Sequence, residues 1–106
     1  MAFHITHRYG DDESDPPLTS FVGLLRELDD RLEDIEHTSV SVTHESEWCI
    51  SVGRAGYVIF ENLESESGGE RHMRNVSDGK ILELWSFLAV GDLQKLELEP
   101  WKPGYG

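Results

Sequence analysis

Five histidines, one cysteine and 21 carboxylates are the groups in this chain that could do chemistry, and their spacing argues against most of it. His4 and His7 are three apart on a predicted strand and therefore point to opposite faces. His37, His44 and His72 show no pairing at one helical turn, so no metal site is predicted. Cys49 lies between Trp48 and Ile50 with no basic neighbour to stabilise a thiolate, and it reads as a structural thiol rather than a nucleophile. General acid–base work needs a carboxyl in a partly apolar cleft. Glu61 beside Phe60 is the candidate, yet its place at a strand end predicts solvation. Gly68-Gly69 is followed by neither a lysine–serine pair nor a capped helix start, so it is not a phosphate loop. The sequence thus predicts no catalytic residues, no cofactor and no enzyme.

What remains is charge. Nine Lys and Arg stand against 21 Asp and Glu, a formal net charge of −12 over 106 residues. Such a surface repels nucleic acid and anionic membrane, both of which need basic groups to displace counterions. It attracts basic proteins, and enzymes that process nucleic acid carry a basic surface by necessity. A purely solubilising role is the alternative that charge by itself leaves open.

The elements that position these residues follow from hydrophobic period. Val40 and Val42 in Thr38 to His44 alternate with serines and threonines, and Trp48, Ile50 and Val52 repeat the period. Glu45-Ser46-Glu47 is a hairpin loop between them. Gly53 and Gly56 around Arg54-Ala55 offer two positions that tolerate positive φ. Tyr57 to Asn62 is apolar on both faces for four residues, which places it mid-sheet or under a helix. Phe3 and Ile5 predict a short strand ending at Tyr9-Gly10. The segment 11–17, with four acids and two prolines, predicts an exposed connector.

From Leu18 the period lengthens. Leu18, Phe21, Leu25, Leu28, Leu32 and Ile35, widened by Val22 and Leu24, form a helical stripe entered at Pro17, capped by Thr19 or Ser20, with Glu27 one turn from Arg31. Its other face carries Asp29, Asp30, Glu33, Asp34 and Glu36; acids in a last turn oppose the helix dipole by about 0.3–1 kcal/mol each. Segment 63–70 is a glycine-rich acidic loop, and 71–76 predicts a fourth, edge-like strand guarded by its arginines. Ser77 caps a second helix through Ile81, Leu82, Leu84, Trp85, Leu88 and Ala89, stopped by Gly91; Asp92 caps a short turn with Leu93 and Leu96. Segment 98–106 is an extended tail pinned by Trp101, and the phases of Trp48 and Trp85 put both in the core. The sum is one α+β domain over residues 1–106. An antiparallel sheet of four to five strands, with a central meander, carries two main helices on one face.

The strands Val40-Ser-Val-Thr-His-Glu-Ser46, Trp48-Cys-Ile-Ser-Val52 and Gly56-Tyr-Val-Ile-Phe-Glu61 precede a helix opened by Val76-Ser77, which closes towards Leu96-Glu-Leu-Glu-Pro-Trp101. Over residues 18 to 101 this pattern resembles immunity proteins of bacterial polymorphic toxin systems, nearest to the family often paired with deaminase-type toxins. The resemblance implies an α+β fold, no catalysis, and neutralisation of a cognate toxin domain by binding over its active site. Acidic charge agrees with it, since a toxin acting on nucleic acid or nucleotides has a basic groove to fill. The partner-binding candidates are the helix face Asp29, Asp30, Glu33, Asp34, Glu36 and the loop edge Glu61, Glu64, Glu66, with the loop edge favoured. A non-catalytic acidic adaptor or regulatory module binding another basic protein is the alternative. With no apolar run long enough to span a bilayer, no basic-then-apolar start and no possible internal disulfide, the expected compartment is the cytoplasm.

Overall fold

Alternation builds the centre of the sheet as expected. In the computed structural model, which describes residues 3–29, 39–64 and 69–104, strands β3 (Ser39–His44), β4 (Trp48–Gly53) and β5 (Tyr57–Asn62) form an antiparallel meander. The register sets Val42 opposite Ile50 and Ile50 opposite Phe60, so one apolar row runs across the three strands, and all three residues are fully buried. Strand β1 (Phe3–Thr6) extends the row with Ile5 opposite Val42. The strand apolar on both faces, β5, does lie in the interior of the sheet, as its composition predicts.

The sheet has seven strands, not four to five, in the order β2-β1-β3-β4-β5-β6-β7, and it is one open antiparallel sheet. The first addition is β2 (Asp12–Ser14), inside the segment expected to be a bare connector. Its three side chains are exposed and supply no apolar period. What pairs it to β1 is a tight turn in which Gly10 takes φ +96, and two side-chain hooks: Asp12 accepts from the Thr6 hydroxyl at 2.8 Å, and Asp15 accepts from the Phe3 backbone N–H at 2.9 Å. The predicted edge strand at 71–76 is shorter, β6 (Arg71–Met73), and it is not an edge. The second addition, β7 (Lys102–Pro103), covers it, because Trp101 docks the tail by stacking on Phe60 at 5.1 Å and donating its indole N–H to the Leu96 carbonyl at 2.7 Å. Arg71 accordingly guards no edge: it lies 4.8 Å over the Phe60 ring and pairs with Glu97.

Three helices pack over the apolar face. α1 (Ser20–Arg26) runs into a one-turn 3-10 helix (Glu27–Asp29), and its buried stripe is Phe21, Leu24 and Leu28. Leu18 and Val22, counted into the stripe by their spacing, are exposed at 45% and 42%. Thr19 occupies the N-cap position but makes no side-chain cap bond. Leu32, Ile35 and the expected Glu27–Arg31 pair lie outside the described residues in whole or part; Glu27 is instead engaged by His7 and Arg8. α2 (Asp78–Ala89) is the helix that was predicted: Ser77 caps it by accepting from the Lys80 N–H, and Ile81, Leu84, Trp85, Leu88 and Ala89 face inward. Gly91, at φ +76, ends it, and Asp92 caps α3 (Leu93–Glu97), which buries Leu96. All these side chains join the sheet residues in one core. Two local expectations are met only in part. Gly53 is extended at φ −108, and it is Ala55 and Gly56 that take positive φ, +61 and +68. Trp48, at the end of its strand, is only partly buried.

Candidate functional site: the acidic end of the sheet

Strand direction decides which loops meet. β3 and β5 end, and β4 begins, at the same end of the sheet; β1 begins there and β2 ends there. The chain therefore brings together Asp15 after β2, Glu45 and Glu47 in the β3–β4 turn, Glu61 near the end of β5 and Glu64 just beyond it. Asp15, Glu45 and Glu64 are exposed, while Glu47 and Glu61 are half-buried.

Backbone bonds lock these segments to one another. The Leu63 N–H donates to the Glu47 carbonyl at 2.9 Å, the Asn62 side-chain amide to the Ser46 carbonyl at 3.4 Å, and the Glu64 N–H to the Asn62 side-chain oxygen at 2.9 Å. Glu47 sits at φ +73, the positive-φ residue that closes the turn. Asp15, Ser14, Phe3 and His4 face Glu45 and Glu47 across a shallow hollow of about 320 Å³. Among the described residues, Asp15, Glu45, Glu47 and Glu64 form no ion pair.

His44 supports this end from beneath. Ser46 donates its backbone N–H to Nδ1 at 3.1 Å, which leaves the ring proton on Nε2, and Nε2 is buried with no hydrogen-bond partner among the described residues. A buried donor without an acceptor costs about 1–3 kcal/mol.

The two sequence-predicted patches fare differently. Glu61 and Glu64 do share an end of the sheet, joined there by Asp15, Glu45 and Glu47; Glu66 lies outside the described residues. Asp29 is far from them. With Arg26, Arg54 and Asp78 it rims a cavity of about 370 Å³ floored by Val22, Leu25, Leu28, Ile81 and Leu82, at the Gly53 end of β4. Two guanidiniums and two carboxylates make that rim electrically mixed rather than acidic. Asp30, Glu33, Asp34 and Glu36 lie outside the described residues. Glu45 and Glu47 were within reach of sequence reasoning, because a meander returns the first turn and the end of the third strand to one edge. Asp15 was not, since nothing in its neighbourhood announces β2.

Burial pushes the Cys49 thiol up from its ordinary value, and Thr43 donates its hydroxyl to Sγ at 3.3 Å, the environment of an inert side chain. Among the described residues no three His, Cys, Asp or Glu converge as metal ligands would, and no helix is long and apolar enough to cross a membrane. On the sheet face turned away from the helices, Thr6, Ser41, Ser51 and Ile59 fall in one register row that continues to His72 and Lys102, separated from the acidic end by the row His4, Thr43, Cys49 and Glu61. No family model, no curated protein and no solved structure matches the chain.

Proposed function

We propose that this chain is an immunity-type inhibitor that occupies the cationic groove of a bacterial toxin domain, one acting on nucleic acid or nucleotides in the manner of a deaminase. The reading assigns it no catalysis. The observation that carries it is the gathering of Asp15, Glu45, Glu47, Glu61 and Glu64 at one end of the sheet, four of them with no ion pair among the described residues. Carboxylates left unpaired by folding repel one another, and a basic partner relieves that repulsion on binding.

The test is coexpression with deaminase-type toxin domains, first with any whose coding sequence adjoins that of this chain. One such domain and this chain should copurify and cells should survive. Replacing Glu45, Glu47, Glu61 and Glu64 together with lysine should abolish protection while leaving the circular dichroism spectrum unchanged, and Asp29→Lys should protect fully. Undiminished protection by the fourfold variant overturns the acidic end as the binding site. Binding to a basic protein without relief of toxicity overturns the immunity reading in favour of an adaptor.

A further inference from the structure

The end of β1 carries an arrangement that the binding reading does not use. His7 lies between two carboxylates from different elements, with Nδ1 2.6 Å from Glu27 Oε2 in the turn after α1, and Nε2 3.2 Å from Glu13 Oε1 on the edge strand β2. An ionised carboxylate only accepts hydrogen bonds, so satisfying both contacts requires a proton on each ring nitrogen. Only the imidazolium has both.

The geometry points to a pH-sensitive clasp, Glu13–His7–Glu27, which fastens β2 to the turn after α1 while His7 is an imidazolium and releases β2 when the ring becomes neutral. A neutral ring keeps one N–H, and the shorter contact to Glu27 retains it. The Nε2 lone pair then faces a carboxylate oxygen, which is repulsive. Glu13 is the partner that leaves, because Glu27 is also held by the Arg8 backbone N–H at 2.9 Å and its carbonyl accepts from the Arg8 guanidinium at 2.9 Å. Among the described residues Glu13 has no second hold, and its side chain is 49% exposed.

The other charges around the ring among the described residues do not alter the sign. The Arg8 guanidinium opposes the imidazolium but is engaged by the Glu27 carbonyl. Asp11 meets His7 through its backbone carbonyl, which accepts the His7 N–H at 2.7 Å, and the Asp12 carboxylate is occupied by the Thr6 hydroxyl. The hydrogen bond to Glu27, first, and that to Glu13 raise the His7 pKa above its ordinary value, outweighing the partial burial that lowers it. A histidine raised in the folded state contributes stability that is complete below its unfolded pKa and is lost as pH rises through the folded value. β2 is therefore fastened in mild acid and loosens on the alkaline side. With its side chains exposed, it is then held by a three-residue ladder and two hooks, and its release bares the β1 edge to strand addition.

The experiment follows the His7 ring by NMR and amide-exchange protection in β2 from about pH 5 to about pH 8. The expected result is a His7 titration above the ordinary value, with β2 protection falling alongside it by up to about tenfold for each unit of elevation, and no change in β4 or β5. In Glu13→Gln the side-chain amide can donate to the neutral ring, so the His7 titration should move down and β2 protection should become flat with pH. A His7 that titrates at its ordinary value overturns the clasp. So does β2 protection independent of the titration in the unaltered chain, or the same pH dependence in Glu13→Gln.

Discussion

Trp85 donates its indole N–H to the carbonyl oxygen of Ile50 across 3.1 Å, and both residues are fully buried. One side chain thereby pins α2 to the middle strand of the meander. Its ring also meets Phe21 of α1 with centroids 5.7 Å apart, so both helices are located by the same indole. Trp85→Phe removes the donor and leaves unfilled volume, and should cost about 2–4 kcal/mol. Urea unfolding followed by circular dichroism measures it. A loss below about 1 kcal/mol, the net worth of one ordinary hydrogen bond, would mean that the bond and the packing around it are incidental.

Two glycines make opposite predictions. Gly56 sits at φ +68, and a Cβ there would stand 2.4 Å from the Val76 carbonyl oxygen and 2.5 Å from the Val76 nitrogen. The backbone at Val76 cannot retreat without breaking its own N–H bond to the Gly56 carbonyl. Gly56→Ala should therefore cost more than about 2 kcal/mol, the left-handed backbone alone accounting for about 1–2. Gly23 lies inside α1 with nothing near its Cβ position, and Gly23→Ala should stabilise by about 0.5–1 kcal/mol. Thermal melts of the two variants should move in opposite directions.

The same physics decides what could be read from the chain. β3, β4, β5 and α2 were legible because burial imposes a period on their side chains, and each is bounded by turn or cap residues. β2 and β7 were not. Asp12-Glu13-Ser14 and Lys102-Pro103 are strands only because a neighbour offers an unpaired ladder and a side chain anchors the approach: Asp15 on the Phe3 N–H in one case, Trp101 on Phe60 in the other. Long-range hooks of that kind leave no trace in local composition. The acidic end was half legible for the same reason. Glu61 and Glu64 stood out as loop charge, and Glu45 and Glu47 follow from meander geometry, whereas Asp15 arrives on a strand that no pattern predicts. In α1 the period was right and its phase was not, because Leu18 and Val22 fit the spacing equally well and only docking chooses among the faces.

Arg71 and Glu97 give a test in acid. Two guanidinium nitrogens donate to the two carboxylate oxygens at 2.9 and 2.7 Å, and this pairing holds the Glu97 carboxyl below its ordinary pKa. A carboxylate lowered in the folded state contributes stability above its unfolded pKa, lost as pH falls through the folded value. Arg71→Lys keeps the charge but loses the fork and the plane that lies over Phe60. Carbon-detected NMR titration should show the Glu97 midpoint moving up towards the ordinary carboxylate range in Arg71→Lys. An unchanged midpoint would assign the shift to something other than the paired geometry.

Ionic strength offers the sharpest test of the acidic end, because it separates charge from shape. Carboxylates exposed at a loop edge act mainly on encounter: they accelerate association with a basic partner and leave dissociation nearly untouched. At about 0.15 M salt the screening length is about 8 Å, and at 0.01 M it is about 30 Å. The association rate with the proposed toxin-domain partner should therefore fall by about tenfold or more between those conditions. Neutralising the exposed Glu45 and Glu64 to glutamine should flatten that salt slope, with the dissociation rate changing by less than about threefold. Glu61, half-buried and held within the fold, should behave the other way, its replacement raising the dissociation rate. Stopped-flow mixing at a series of salt concentrations reads both rates. An association rate indifferent to salt, or a slope unaltered when the two exposed glutamates are neutralised, would show that the partner recognises something other than this end of the sheet.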